Sequence, residues 1–154
     1  MSFDNKSLPA IFTNYRTIAI VGMSNKISRA SFGVAQYMQA HGYRIIPVNP
    51  SYAGQEILGE PCFASLAEAS AQLKCEGVQI DIVDCFRKSE DIPPIAEQAI
   101  QIGAKCLWLQ LDIVHRDAEQ KAINAGLEVV SDRCIKIDHA LWQSTQARPI
   151  HRQG

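Results

Sequence analysis

Residues 17–42, TIAIVGMSNKISRASFGVAQYMQAHG, decide the fold. Ile18, Ala19, Ile20 and Val21 form a short apolar run rich in β-branched side chains, the signature of a strand buried on both faces. Gly22 ends it, and a polar stretch, 24–31, follows. Apolar residues return at Phe32, Ala35 and Met38, a helical spacing, until His41 and Gly42 close the unit. Strand, polar turn and helix in that order build a corner suited to phosphate. Backbone N–H groups point outward from the end of a parallel strand, and the helix start adds its dipole. The loop holds Ser24, Asn25, Lys26, Ser28, Arg29 and Ser31, so hydroxyls, an amide and two cations are concentrated where an anion would sit. The competing reading is a solvated loop in which Ser31 caps the helix.

The same alternation continues along the chain. Residues 43–48 form a second strand ending at Asn49-Pro50, then comes a turn at 51–54 and a short extended excursion at 57–61. A helix spans 65–73, with Ser65 and Glu68 as a capping box. A third strand covers 80–84, and the clearest helix, 89–102, carries Ile92, Ile95, Ala96, Ala99 and Ile102 on one face, with Pro93 and Pro94 in its first turn. A strand at 105–110, a helix at 116–125 and a strand at 127–130 complete the pattern. Residues 7–15 read as a short leading helix packed through Leu8, Ile11 and Phe12. Gly42, Gly103 and Gly126 each separate a helix from the next strand, as left-handed C′ glycines do. The expected fold is α/β: a single-domain, Rossmann-like doubly wound sheet of about five parallel strands. Residues 1–16 form a leading segment, 17–143 the binding domain and 144–154 a tail. Ligands of such sheets lie beyond the carboxyl ends of the strands, which singles out the loops 22–31, 49–54, 85–89, 111–116 and 132–136.

Composition narrows the classes. The chain has 154 residues, 47% hydrophobic and 20% charged, with a net charge of −1; that suits one globular domain and offers no basic face for nucleic acid. No apolar run approaches the roughly 20 residues of a membrane span, and Asp4, Asn5, Lys6 and Pro9 interrupt any leader core. A cytoplasmic protein is expected, without membrane or nucleic-acid partners. Five cysteines, an odd number without a Cys-x-x-Cys pair, indicate neither a disulfide framework nor a zinc site. Cys85 and Cys106, inside strand patterns, read as buried thiols.

Standard nucleotide fingerprints fail. The segment 22–27 keeps only the first glycine of Gly-x-Gly-x-x-Gly, and Asn49-Pro50 stands where a ribose-binding acid belongs, which argues against NAD. No Gly-Lys-Ser/Thr closes a Walker loop.

Five stretches together, 17–42, 46–50 (IPVNP), 82–87 (IVDCFR), 107–111 (LWLQL) and 132–136 (DRCIK), resemble the small stand-alone CoA-binding proteins. Those are similar in turn to the CoA-binding domain of the succinyl-CoA synthetase alpha subunit. The resemblance spans roughly 15–141. It implies a Rossmann-like domain that holds coenzyme A across the strand exits, with no well-established catalytic activity. By position, Gly22, Met23, Ser24, Asn25, Lys26 and Arg29 correspond to the loop that meets the CoA phosphates. Val48, Asn49, Pro50 and Tyr52 correspond to the second-strand exit beside the nucleotide, and Cys85, Phe86 and Arg87 to the third-strand exit along which the ligand runs. Three positions depart from the family pattern: Ala30 and Ile135 stand where proline is common, and Asp112 where glycine is.

No catalytic constellation emerges, and no metal site. His41, His139 and His151 read as surface residues, while His115, beside Asp112 and Asp117, is the histidine placed for chemistry. Trp108 reads as core. Asp132-Arg133-Cys134 offers either a thiolate activated by Arg133 or a local Asp132–Arg133 ion pair. The leading expectation is a CoA- or acyl-CoA-binding protein. The alternatives are a CoA-linked thiol-exchange or acyl-transfer enzyme using Cys134, and a partner-binding domain for an acyl-CoA enzyme.

Overall fold

A computed structural model of the chain describes residues 7–147; His151 and the end of the expected tail lie outside that range. In chain order the elements are α1 (Ser7–Asn14), β1 (Thr17–Val21), α2 (Ala30–Ala40), β2 (Arg44–Val48), β3 (Glu56–Ile57), β4 (Glu60–Pro61), α3 (Leu66–Cys75), β5 (Ile82–Cys85), α4 (Ile92–Gln101), β6 (Cys106–Leu109), α5 (Arg116–Asn124), β7 (Glu128–Val130) and α6 (Ile135–Ala147). Five strands form one parallel sheet in the order β2-β1-β5-β6-β7. β3 and β4 make a separate antiparallel hairpin. Beyond β2, Phe63 makes a single parallel bridge to Val48. Counting that bridge as a third strand reduced to one residue, the order becomes 3-2-1-4-5-6, that of the dinucleotide-binding fold.

Strand periodicity divides the core into two layers. Ala19, Val21, Ile46, Val48, Val83, Leu107 and Leu109 face α3, α4 and α5. Ile18, Ile20, Ile45, Ile82, Cys106 and Trp108 face α1, α2 and α6. Three helices on each side leave β1 and β5 with no exposed face, which explains why both read as continuous apolar runs. Gly42, Gly103 and Gly126 have φ of 94°, 76° and 98°, and Gly77 after α3 adopts 75°; the left-handed helix ends expected of the first three are present. α3 starts as foreseen, with the Ser65 hydroxyl accepting from the Glu68 N–H at 3.2 Å. β5 begins at Ile82, two residues later than expected, though the Asp81 N–H already donates to the Thr17 carbonyl. The Asp81 carboxylate adds to that join by accepting from the N–H groups of Arg16 and Thr17 at 2.9 and 3.2 Å.

Three local expectations are corrected. Ser31 does not cap α2: Arg29 is the cap residue, without a side-chain bond, and the buried Ser31 hydroxyl instead accepts from the Ser24 N–H at 2.9 Å. His139 is 1% exposed, not on the surface; its ring is ringed by Phe12, Tyr37, Tyr43 and Trp142, and its Nδ1 lies 2.9 Å from the Tyr37 hydroxyl. Arg133 pairs with Asp138 at 2.7 Å, whereas Asp132 accepts from the Asp112 N–H at the same distance. The i,i+5 reach from loop to helix puts Asp138 on the guanidinium, and Asp132, at φ 59°, is turned toward the neighbouring loop.

Candidate functional site at the strand exits

The exits of β1 and β5 meet at Gly22. Its φ is 87°, and a Cβ there would stand 2.4 Å from the Phe86 carbonyl oxygen. Only glycine permits this approach, and the turn is pinned on both sides: the Gly22 N–H donates to Val48 and the Phe86 N–H to Val21. Asn49 ties the third exit in. Its Nδ2 donates to the Met23 carbonyl and its Oδ1 accepts from the Ser51 N–H, both at 2.9 Å.

Three adjoining clefts run across these exits. The first lies between β2 and the starts of α3 and α4, with Gly22, Val48, Pro50, Leu66, Arg87 and Ile95 in its walls. The second, over the β1 turn, is lined by Gly22, Ser24, Arg29, Asn49, Tyr52 and Phe86. The third opens between α2 and the exits of β5 and β6, against Val34, Phe86, Gln110, Leu111, Ile113 and Cys134. Gly22 joins the first two, and Phe86 with Ala30 joins the second to the third. α2 starts at the middle cleft, where Ala30 and Ser31 of its first turn line the wall and no side chain caps the helix.

Of the residues assigned from the sequence, Gly22, Ser24, Arg29, Val48, Asn49, Pro50, Tyr52, Phe86 and Arg87 therefore come together in this run of clefts. Met23 and Cys85 are fully buried and line none of the three clefts, so they support the rim from beneath. Burial also pushes the Cys85 thiol well up. Asn25 and Lys26 lie on the exposed outer part of the loop, where Asn25 donates to Gln55 at 3.1 Å. Among the described residues neither Lys26 nor Arg29 makes an ion pair, while Arg87 contacts Asp91 at 3.3 Å. Ser65, Leu66, Pro94 and Ile95 also line the first cleft, although the sequence marks Ser65 only as a helix cap, Pro94 as a first-turn proline, and Leu66 and Ile95 as apolar helix positions. The signal that could have found them is that helices following parallel strands begin at the same rim.

His115 is not free for chemistry. Its Nδ1 accepts from the Ala118 N–H at 3.2 Å while Glu119 accepts from the His115 N–H at 2.8 Å, a reciprocal cap on α5. Trp108 is fully buried, with its indole N–H on the Arg133 carbonyl at 2.8 Å. Behind the site, Asp84 is 0% exposed and neither carboxyl oxygen has a hydrogen-bond partner. Burial pushes its pKa well up, which favours the neutral acid. It pairs with Ile20 and Trp108 across the sheet, one pleat below Phe86 and Gln110.

The family described as CoA binding domain matches residues 16–140. This chain belongs to the CoA-binding domain family. Protein YneT of Bacillus subtilis is 38% identical over 131 residues, which cover 85% of this chain and 90% of that protein. A hypothetical protein from Pyrococcus horikoshii superposes with a TM-score of 0.81 at 36% identity, covering 91% of this chain and 92% of the other. A protein from Thermus thermophilus gives 0.79 at 30%, covering 90% and 98%. Membership in the CoA-binding domain family supports a CoA-binding role, and the matched span contains all three clefts. Among the described residues no helix is long and apolar enough to cross a membrane.

Proposed function

We propose that this protein binds CoA or an acyl-CoA across the strand exits and performs no chemistry on it. The observation that carries the reading is the continuity of the three clefts around Gly22 and Phe86, with Arg29 and the uncapped start of α2 at the centre. A CoA molecule has the matching sequence of parts. Its adenine suits the apolar walls of Val48, Pro50 and Leu66, its phosphates the Arg29 guanidinium at the start of α2, and its uncharged arm the passage along Phe86 and Ala30 toward the third cleft. Thiol exchange through Cys134 is the competing reading. Its thiolate would need the positive charges of Arg133 and Lys136, but the Arg133 guanidinium is held by Asp138, whose charge offsets it, and the Lys136 ammonium lies over the Tyr37 ring.

Calorimetric titration of the purified protein with CoA tests the proposal. Saturable 1:1 binding is expected, with NADH failing to compete. Arg29→Ala should weaken binding by about 1.5–3 kcal/mol, the worth of a charge-assisted bond, while leaving the apo melting temperature in place because Arg29 is exposed. Absence of CoA binding overturns the proposal.

A further inference from the structure

We propose that the third cleft is an acyl subsite, so that the preferred ligand is a short-chain acyl-CoA and not free CoA; the inference rests on the CoA reading above. The cleft encloses about 360 Å³ and its walls are mostly apolar: Val34, Phe86, Leu111 and Ile113. It is joined to the phosphate cleft through Phe86 and Ala30, so it lies where the far end of a ligand anchored at Arg29 arrives.

One polar group in its wall is incomplete. Gln110 is 5% exposed, and its Oε1 accepts from the Ile135 N–H at 3.3 Å. That bond fixes the amide's orientation, because the flipped amide would set donor against donor. The Nε2 group is left with two N–H donors and no partner among the described residues. Unlike the Asp84 oxygens, this nitrogen is not sealed off from the cleft, so the acceptor of a ligand can reach it without rearrangement. Free CoA ends in a thiol, a weak acceptor that would leave the apolar walls unfilled. An acyl thioester brings a carbonyl oxygen for Nε2 and an alkyl chain for Val34, Ile113 and Leu111. Leu111, 54% exposed at the cleft mouth, gains cover from the chain.

The test is calorimetry on the full-length protein with CoA and butyryl-CoA. Butyryl-CoA should bind about tenfold more tightly, the discrimination that added methylenes earn in an apolar pocket. The ratio should fall to within twofold in Gln110→Glu, which keeps an oxygen for the Ile135 N–H and removes both amide donors. It should fall likewise in Leu111→Asp, a change at an exposed position that keeps the test intact if Gln110→Glu does not fold. Equal affinities of the wild type for CoA and butyryl-CoA would mean that the pantetheine arm alone occupies the cleft; the acyl subsite would then fail while the CoA reading stood. Failure to bind either ligand removes both.

Discussion

An ideal Cβ on Gly22 would overlap the Phe86 carbonyl oxygen and touch the Arg87 Cδ at 3.0 Å. Backbone on one side leaves nothing flexible to yield, and the positive φ adds strain of its own. Gly22→Ala should therefore cost about 2 kcal/mol or more of stability, read from urea unfolding, and weaken CoA binding by parting the β1 and β5 exits. Gly22 was visible in the sequence as the end of an apolar run, but the partner that makes it obligatory, 64 residues away, was not. Asp84 was less visible still. In IVDC it reads as a strand residue, and nothing local says that both its oxygens are left without partners. The buried carboxyl holds its proton more tightly folded than unfolded, so the folded state loses relative stability as pH rises above the unfolded value near 3.8. The loss runs at up to about 1.4 kcal/mol per pH unit until the folded pKa is reached. Asp84→Asn should remove that slope, so that the variant gains on the wild type between pH 4 and pH 6 in paired urea titrations. A constant difference across that range would show that Asp84 is not held neutral.

At the scale of elements, the alternation of strand and helix was legible because both periods are strong and because glycines mark the turns. What escaped was tertiary. α6 contributes His139 to the inner layer, and a histidine four residues after Ile135 carries no sequence mark that distinguishes a buried ring from a solvated one. Its packing against Phe12 and Tyr43 joins α6 to α1 and to the start of β2. Burial, then the nearby His41 and Arg16 charges, lowers its pKa. A base that is harder to protonate folded than unfolded supports the fold above the unfolded value of 6.5, and that support declines as pH falls through it. The unfolding midpoint of the wild type should drop more than that of His139→Gln between pH 7 and pH 5.5. Equal drops would exclude His139 as the source. The Ser31 correction has a similar origin: the hydroxyl is near the helix start, as the sequence suggested, but the loop folds back to use it for the Ser24 N–H. The candidate site was legible where residues lie on strand exits. It was not legible where helix starts approach from other parts of the chain.

Across the whole molecule, the clefts are walled by loops and helix starts from Gly22 to Cys134, none of which touches its neighbours in the site without the sheet beneath. A ligand bridging them binds only the folded chain. At a concentration one hundred times its Kd it adds about 2.7 kcal/mol, and for a chain of this size that should raise the melting temperature by about 5–10 °C; a shift below 1 °C at saturation would mean that the bridging contacts are not made. The one-residue bridge at Phe63 has a different consequence. In β2, alternate backbone groups face β1, as the Arg44 N–H donation to Arg16 shows, and the others face away, as the Phe63 N–H donation to the Pro47 carbonyl shows. Pro47 thus carries its missing N–H on the outward side, and Phe63 occupies the carbonyl that remains there. At the opposite margin β7 is three residues long. A second chain seeking to extend this sheet by strand pairing finds a proline on one side and a three-residue template on the other, so both margins disfavour edge-to-edge strand addition.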